Sequence, residues 1–247
     1  MPELARLVGS LGFDGIELPV RPGFQVEPGN VLDGLRTASR IFEDRGLHLY
    51  SVAGPADERT ISACAECHIP LIRIIVPVEP SSYFDSVERC RIEFDKLVPI
   101  LSEYGVTLGI QNHSDSYVCN AMGLHHLLDG YNPLLIGAVW DAAHNALNGE
   151  DPEMALNIVW SHLRMVNLKN AYWKQATNTE SDVIGWRPYW TTGNKGLASW
   201  PRVAAELKRR SYSGVVCLPA EYSDESQVES FVREDLRLAK QLFQDAL

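Results

Sequence analysis

Asp141 and His144 stand three residues apart, a spacing that lets a carboxylate and an imidazole face one side of a turn. Gln111, Asn112 and His113 form a second polar run, Asn167, Lys169 and Asn170 a third, and Glu221 follows Pro219 by two residues. Glu17 is an isolated acid near the N-terminus. Carboxylates and imidazoles exchange protons near neutral pH, and together they offer the mixed oxygen and nitrogen donors that divalent ions accept. Each residue also has a plainer reading. Asp141 can cap a helix, Glu17 and Glu221 can be solvated carboxylates, His113 can be a hydrogen-bonded polar residue, and Lys169 can be a solvated lysine.

These side chains cooperate only if the fold gathers them. Apolar residues at helical spacing mark helices at 4–11, 31–42, 61–67, 82–104, 120–128, from 151 onward, at 199–210 and at 227–243. Gly12 and Gly46 stop the first two, Asn120, Asp151 and Ser199 are the expected caps, and Pro99 is expected to kink the long helix. Between them run apolar strands at 14–20, 47–52, 69–76, 106–110, 134–139, 163–168 and 214–218. Strands apolar on both faces are those of a parallel sheet covered by helices. The segment 171–195 is polar and aromatic, with no clear period.

Regular alternation over 247 residues predicts a single α/β domain, 1–247, folded as a TIM-type β/α barrel. The tally is seven strands and eight helices, the first strand lacking, so a gapped barrel is expected. Loops at the C-terminal ends of its strands would carry the residues named above.

Composition removes several functions. The 32 acidic and 22 basic residues leave a formal charge of −10, which opposes nucleic acid as a partner. No basic leader precedes an apolar stretch, and no apolar run nears the roughly 20 residues of a membrane helix, so a cytoplasmic protein is expected. The five cysteines are scattered and read as reduced. Cys64 to His68 spell C-x-x-C-H, but they close a helix and lead into a strand, so no haem is expected. No glycine-rich phosphate fingerprint follows an early strand, and no nucleotide cofactor is expected.

The phrases 12–18 (GFDGIEL), 105–113 (GVTLGIQNH), 141–144 (DAAH) and 194–200 (NKGLASW) resemble the sugar phosphate isomerase/epimerase group of xylose isomerase-like barrels, in the same order. The resemblance implies a divalent metal, Mn, Mg, Zn or Co, held by a Glu on the fifth strand, an Asp on the sixth, a His on the seventh and a Glu on the eighth. It implies that the two glutamates exchange a substrate proton, and that Asp141 is the metal-holding Asp with His144 touching substrate. The other ligand positions depart: Gln111, Asn167 and Pro219 stand where the Glu, His and Glu are expected. Amides keep the shape but lose the basicity, and they are poor ligands for a transition metal. A shifted metal site from Asp141, His144, His113 and Glu221 is one way to rebuild the centre.

The expected activity is that of a sugar or polyol isomerase or epimerase moving a proton beside a carbonyl, with an eroded or rebuilt metal centre and His144 or Glu221 as catalytic groups. Glu17, Gln111, His113, Asn167, Lys169 and Trp186 would bind a small sugar-like ligand. The alternative is a non-catalytic barrel binding a carbohydrate-like ligand or a protein partner. The aromatic run Tyr172, Trp173, Trp186, Tyr189 and Trp190 serves either as a lid over sugar or as a contact for a homo-oligomer.

Overall fold

The structure is a computed structural model that describes residues 1–176 and 185–244. Chain order is α1 (Pro2–Leu11), β1 (Gly15–Pro19), α2 (Val31–Glu43), β2 (His48–Ala53), α3 (Glu58–Glu66), β3 (Leu71–Ile75), α4 (Tyr83–Tyr104) and β4 (Thr107–Gln111). There follow α5 (Ala121–Leu128), β5 (Ile136–Asp141), α6 (Ala142–Leu147), α7 (Pro152–Val159) and β6 (Leu163–Asn167). The chain ends with β7 (Asn170–Gln175), β8 (Trp186–Thr191), α8 (Trp200–Arg209), β9 (Val215–Cys217) and α9 (Val228–Gln244).

The expected seven parallel strands form one sheet in the order β1-β2-β3-β4-β5-β6-β9. Its two outer strands, β1 and β9, are not paired with each other, so the sheet curls into a nearly closed barrel lacking one strand. Burial follows position. Every residue of the central strands β4 and β5 is buried, whereas all of β9 and most of β1 are half-buried. The main core lies between sheet and helices, where Leu35, Phe42, Ile61, Ile72, Leu108, Ile110, Leu124, Trp140 and Trp200 are fully enclosed. A second, smaller cluster of Leu71, Val139 and Met165 fills the inside of the barrel.

Several expectations need correction. Nine α-helices are present among the described residues, and the additional one is α6. It starts because the Asp141 carboxylate accepts from the backbone N–H groups of Ala143 and His144 at 3.0 and 3.1 Å. Asn120 caps α5 as expected, through Gly123 N–H. Asp151 and Ser199 do not cap with their side chains, and the Asp151 carboxylate pairs instead with Arg202 at 2.7 Å. Helix α4 contains Pro99, as expected. The aperiodic segment contains an antiparallel hairpin, β7 and β8, projecting beyond the barrel; its central residues 177–184 lie outside the described part. Cys64 and Cys67 are buried thiols at the end of α3.

The root of that hairpin is fixed by Asn170. Its buried amide donates to the carbonyls of Gly193 and Ala198 at 2.7 and 2.9 Å, and accepts from the N–H groups of Ala171 and Ala198. The chain wraps this side chain so closely that a Cβ at Gly196 would lie 2.1 Å from the Asn170 Oδ1. Replacing Asn170 by alanine leaves these backbone groups buried and unpaired, each a penalty of about 1–3 kcal/mol. Asn170→Ala should therefore lower the unfolding free energy by about 3 kcal/mol in urea titrations and speed hydrogen exchange at Ala198. A loss under about 1 kcal/mol would mean that the hairpin root is held by something else.

Candidate active site

Parallel ladder partners point the same way, so register shows which side chains share the barrel interior. Asp141, Asn167 and Cys217 are aligned at the C-terminal ends of β5, β6 and β9. Gln111 is aligned with Val139, and Arg73 with Gly109. Glu17 on β1 is aligned with Ser51 on β2. The inner wall is apolar below and charged at the mouth.

The charged layer is one chain of hydrogen bonds. Ser51 Oγ donates to Glu17 at 2.9 Å. Arg73 grips the same carboxylate through Nε at 2.9 and 3.0 Å and Nη2 at 2.6 Å. Its Nη1 donates to the Gln111 side-chain oxygen. Gln111 passes the polarity on, its Nε2 donating to Asp141 Oδ2 at 2.8 Å. Burial works against the charge of Arg73, but the adjacent Glu17 carboxylate more than offsets it and holds the guanidinium above its ordinary pKa. Burial likewise pushes Asp141 above the usual carboxylate range, against the pull of Lys169, backbone N–H groups and Arg73. Asn112 locks the strand end, accepting from Asp141 N–H at 2.7 Å and donating to its carbonyl at 3.1 Å.

Beside this layer lies a second cluster. The fully buried His144 ring accepts at Nδ1 from Ser114 N–H, 3.0 Å away. A backbone N–H can only donate, so Nδ1 is unprotonated and the neutral ring carries its proton on Nε2. Burial, with the charge of Lys169 and then the His113 ring, drives the His144 pKa down to about 2. His144 therefore presents an N–H, not a lone pair, toward Lys169 Nζ at 3.4 Å. Lys169 is enclosed, 2.5 Å from Glu221 Oε2 and 3.6 Å from the centre of the Trp190 ring. Glu221 is half-exposed. His113 stacks on His144 with 4.0 Å between centroids, its Nδ1 donating to the Ser114 carbonyl, which leaves Nε2 with a lone pair.

The structure thus brings Glu17, Gln111 and Asp141 into one network and His113, His144, Lys169 and Glu221 into the other. Asn167 faces the interior between them; its Oδ1 is buried with no hydrogen-bond partner among the described residues. Trp186 stands at the distal end of the hairpin, 58% exposed, and it is Trp190, near the root, that meets Lys169 and His144. Sequence reasoning missed Arg73, Ser114 and the part played by Trp190. Arg73 had a signal: it is the one charge in the apolar run Leu71 to Ile75.

A divalent metal does not fit this constellation. Asp141 spends one oxygen capping α6 and the other on Gln111, while the Gln111 oxygen is turned to Arg73. His144 has its only lone pair committed, and Glu221 is paired with Lys169. Among the described residues, no three His, Cys, Asp or Glu side chains are grouped to hold an ion. No helix among them is long and apolar enough to cross a membrane.

Known proteins share this architecture. A xylose isomerase domain protein from Planctomyces limnophilus superimposes with a TM-score of 0.74 at 16% identity, over 96% of this chain and 90% of that one. The 3-keto-D-glucoside 4-epimerase of E. coli does so with 0.71 at 14% identity, over 97% and 94%. At such identities the likeness is one of fold. The inosose dehydratase of Bacillus velezensis is 25% identical over 132 residues, 51% of this chain and 44% of that protein, so the match spans less than half of that relative. The family model for xylose isomerase-like TIM barrels matches residues 5–242. With the gapped parallel barrel and that match over nearly its whole length, the chain belongs to the xylose isomerase-like TIM barrel family.

Proposed function

We propose that the cup binds a small polyhydroxy carbonyl compound, of the sugar or cyclitol kind, and removes a proton from the carbon beside the carbonyl. Isomerisation, epimerisation and dehydration of such compounds can each begin with that step. The similar proteins include an inosose dehydratase and a 3-keto-D-glucoside 4-epimerase, both named for keto forms of polyhydroxy compounds.

One observation carries the reading: two donors, His144 Nε2–H and Lys169 Nζ, stand 3.4 Å apart and face each other without an acceptor between them. A carbonyl oxygen seated there would accept from both, and it would gain negative charge as the adjacent proton leaves. Fixed donors aimed at developing charge in an enclosed site are the usual means of lowering such a barrier. Glu221 is the base in this scheme, its carboxylate positioned by Lys169 through Oε2. His144 serves as the electrophile, which moves it from the acid-base role its sequence context suggested. Glu17, Gln111 and Asn167 offer polar contacts to hydroxyl groups, and Trp190 offers its face to the apolar side of a ring. No step passes through a metal.

In deuterated water, a panel of ketoses, aldoses and inososes should show replacement of the carbon-bound proton next to the carbonyl, read by NMR. Glu221→Gln should slow this exchange by at least about 10²-fold, and His113→Asn by less than about 10-fold. The reverse pattern would move the base to His113. Absence of exchange across the panel would defeat the catalytic reading and leave a barrel that binds the same class of ligand.

The neutral His144 also predicts a pH dependence of stability. The native ring protonates only near pH 2, whereas an unfolded histidine does so near 6.5. Between those values the unfolded chain binds the extra proton, so this contribution to stability is full above about pH 6.5 and declines as pH falls. At pH 5 the loss amounts to about 2 kcal/mol at most. Asp141, shifted upward, acts in the opposite sense, so the comparison must be with a variant. His144→Asn should lose about 1–2 kcal/mol less than the native protein between pH 7 and pH 5 in denaturant titrations. Equal losses would show that His144 is not the buried neutral group.

A further inference from the structure

We propose that Arg73 is the resident cation of this barrel, its guanidinium occupying the electrostatic place of a divalent ion and making the centre metal-independent. The inference is separate from the proton-transfer reading and stands or falls without it.

The side chain is built in. Arg73 and Glu17 are only 15% and 11% exposed, and they are joined by a fork of two nitrogens on one carboxylate. Gly109, the register partner of Arg73 on β4, adds no side chain at that level; a Cβ there would come within 2.7 Å of Val139. The polar groups around it are oriented by a fixed positive charge. Gln111 turns its oxygen to Arg73 and therefore its nitrogen to Asp141, an arrangement in which neither amide nor carboxylate presents a free oxygen to an ion. A divalent cation entering here would meet the guanidinium charge and the Gln111 amide hydrogens at once.

Arg73 is not fully spent by these contacts. A guanidinium has five N–H groups. Nε–H, one hydrogen of Nη2 and one of Nη1 are used, leaving one on Nη1 and one on Nη2 without a partner among the described residues. Across the same interior, Asn167 Oδ1 is a buried acceptor without a partner among the described residues. Donors and an acceptor left over in the same interior suit a ligand carrying both hydroxyl and carbonyl or carboxylate oxygens, bound to fixed protein groups instead of a metal.

The test uses MnCl₂ as the probe, with calorimetry and elemental analysis of the purified protein. The native protein should hold no stoichiometric divalent metal and show no saturable Mn²⁺ binding up to about 1 mM. Gln111→Glu alone should remain equally inert, because the new carboxylate would pair with Arg73. The double variant Arg73→Met with Gln111→Glu should gain Mn²⁺ affinity by at least about 10-fold, since it restores a carboxylate and removes the competing charge. Saturable binding by the native protein, a gain in the single variant, or no gain in a folded double variant would each overturn the proposal. Should the double variant fail to fold, the native and Gln111→Glu titrations still decide it.

Discussion

The ion pair between Glu17 and Arg73 is the constraint on which the mouth of this barrel depends. It is buried, and burying two charges costs several kcal/mol per ion before their attraction is counted. Such a pair is weak evidence of extra stability but a strong condition on its neighbours, because removing one partner strands the other at a cost of about 3–5 kcal/mol. Each hydrogen bond beyond it follows in order. Arg73 sets the orientation of the Gln111 amide, Gln111 supplies a donor to Asp141, and Asp141 is then left with one oxygen for the start of α6. A local charge on β3 thereby determines how a helix begins two strands away.

The same logic explains why amides at 111 and 167 are not simply blunted carboxylates. An amide has a donor end and an acceptor end, so it relays direction in a way that a carboxylate cannot. In Gln111 both ends are used. In Asn167 the acceptor end is buried without a partner among the described residues, and such an unmet group needs an explanation in any folded protein. The neighbouring imidazoles divide by the same rule. Ser114 offers His144 an N–H and His113 a carbonyl, and thus gives two stacked rings opposite tautomers. One backbone residue makes the first ring a donor and the second an acceptor.

Much of this fold was legible in the sequence because its signal is repetitive. Apolar strands ended by polar residues, a first helix closed by Gly12, and a capping Asn120 all act locally. Gathering Asp141, His144, Gln111, His113, Lys169 and Glu221 at one end needed only the rule that parallel barrels place function beyond the C-terminal ends of their strands. What escaped was decided by tertiary partners. Helix α6 is six residues long, too short for a period to register. The hairpin runs from a buried root to an exposed tip, so it has no alternation of apolar and polar positions to read. Asp151 carried the residue type of a cap, yet Arg202 from a distant helix claims its carboxylate. Arg73 was overlooked because its role lies in what faces it across the barrel, and that is set by the stagger of β1 against β3. No sequence pattern distinguishes Nδ1 from Nε2.

The unclosed sheet has a mechanical consequence. In a complete ring, small changes of twist between neighbouring strands must cancel around the circuit. In an open arc they add, and here six successive pairings lie between β1 and β9. The width of the seam is therefore the dimension of the molecule most responsive to any flexing of the sheet. Glu17 rides on one lip of that seam and Cys217 on the other, while Arg73 moors Glu17 to the interior of β3. The β1 lip is in this way tied by one carboxylate to a strand two places further in.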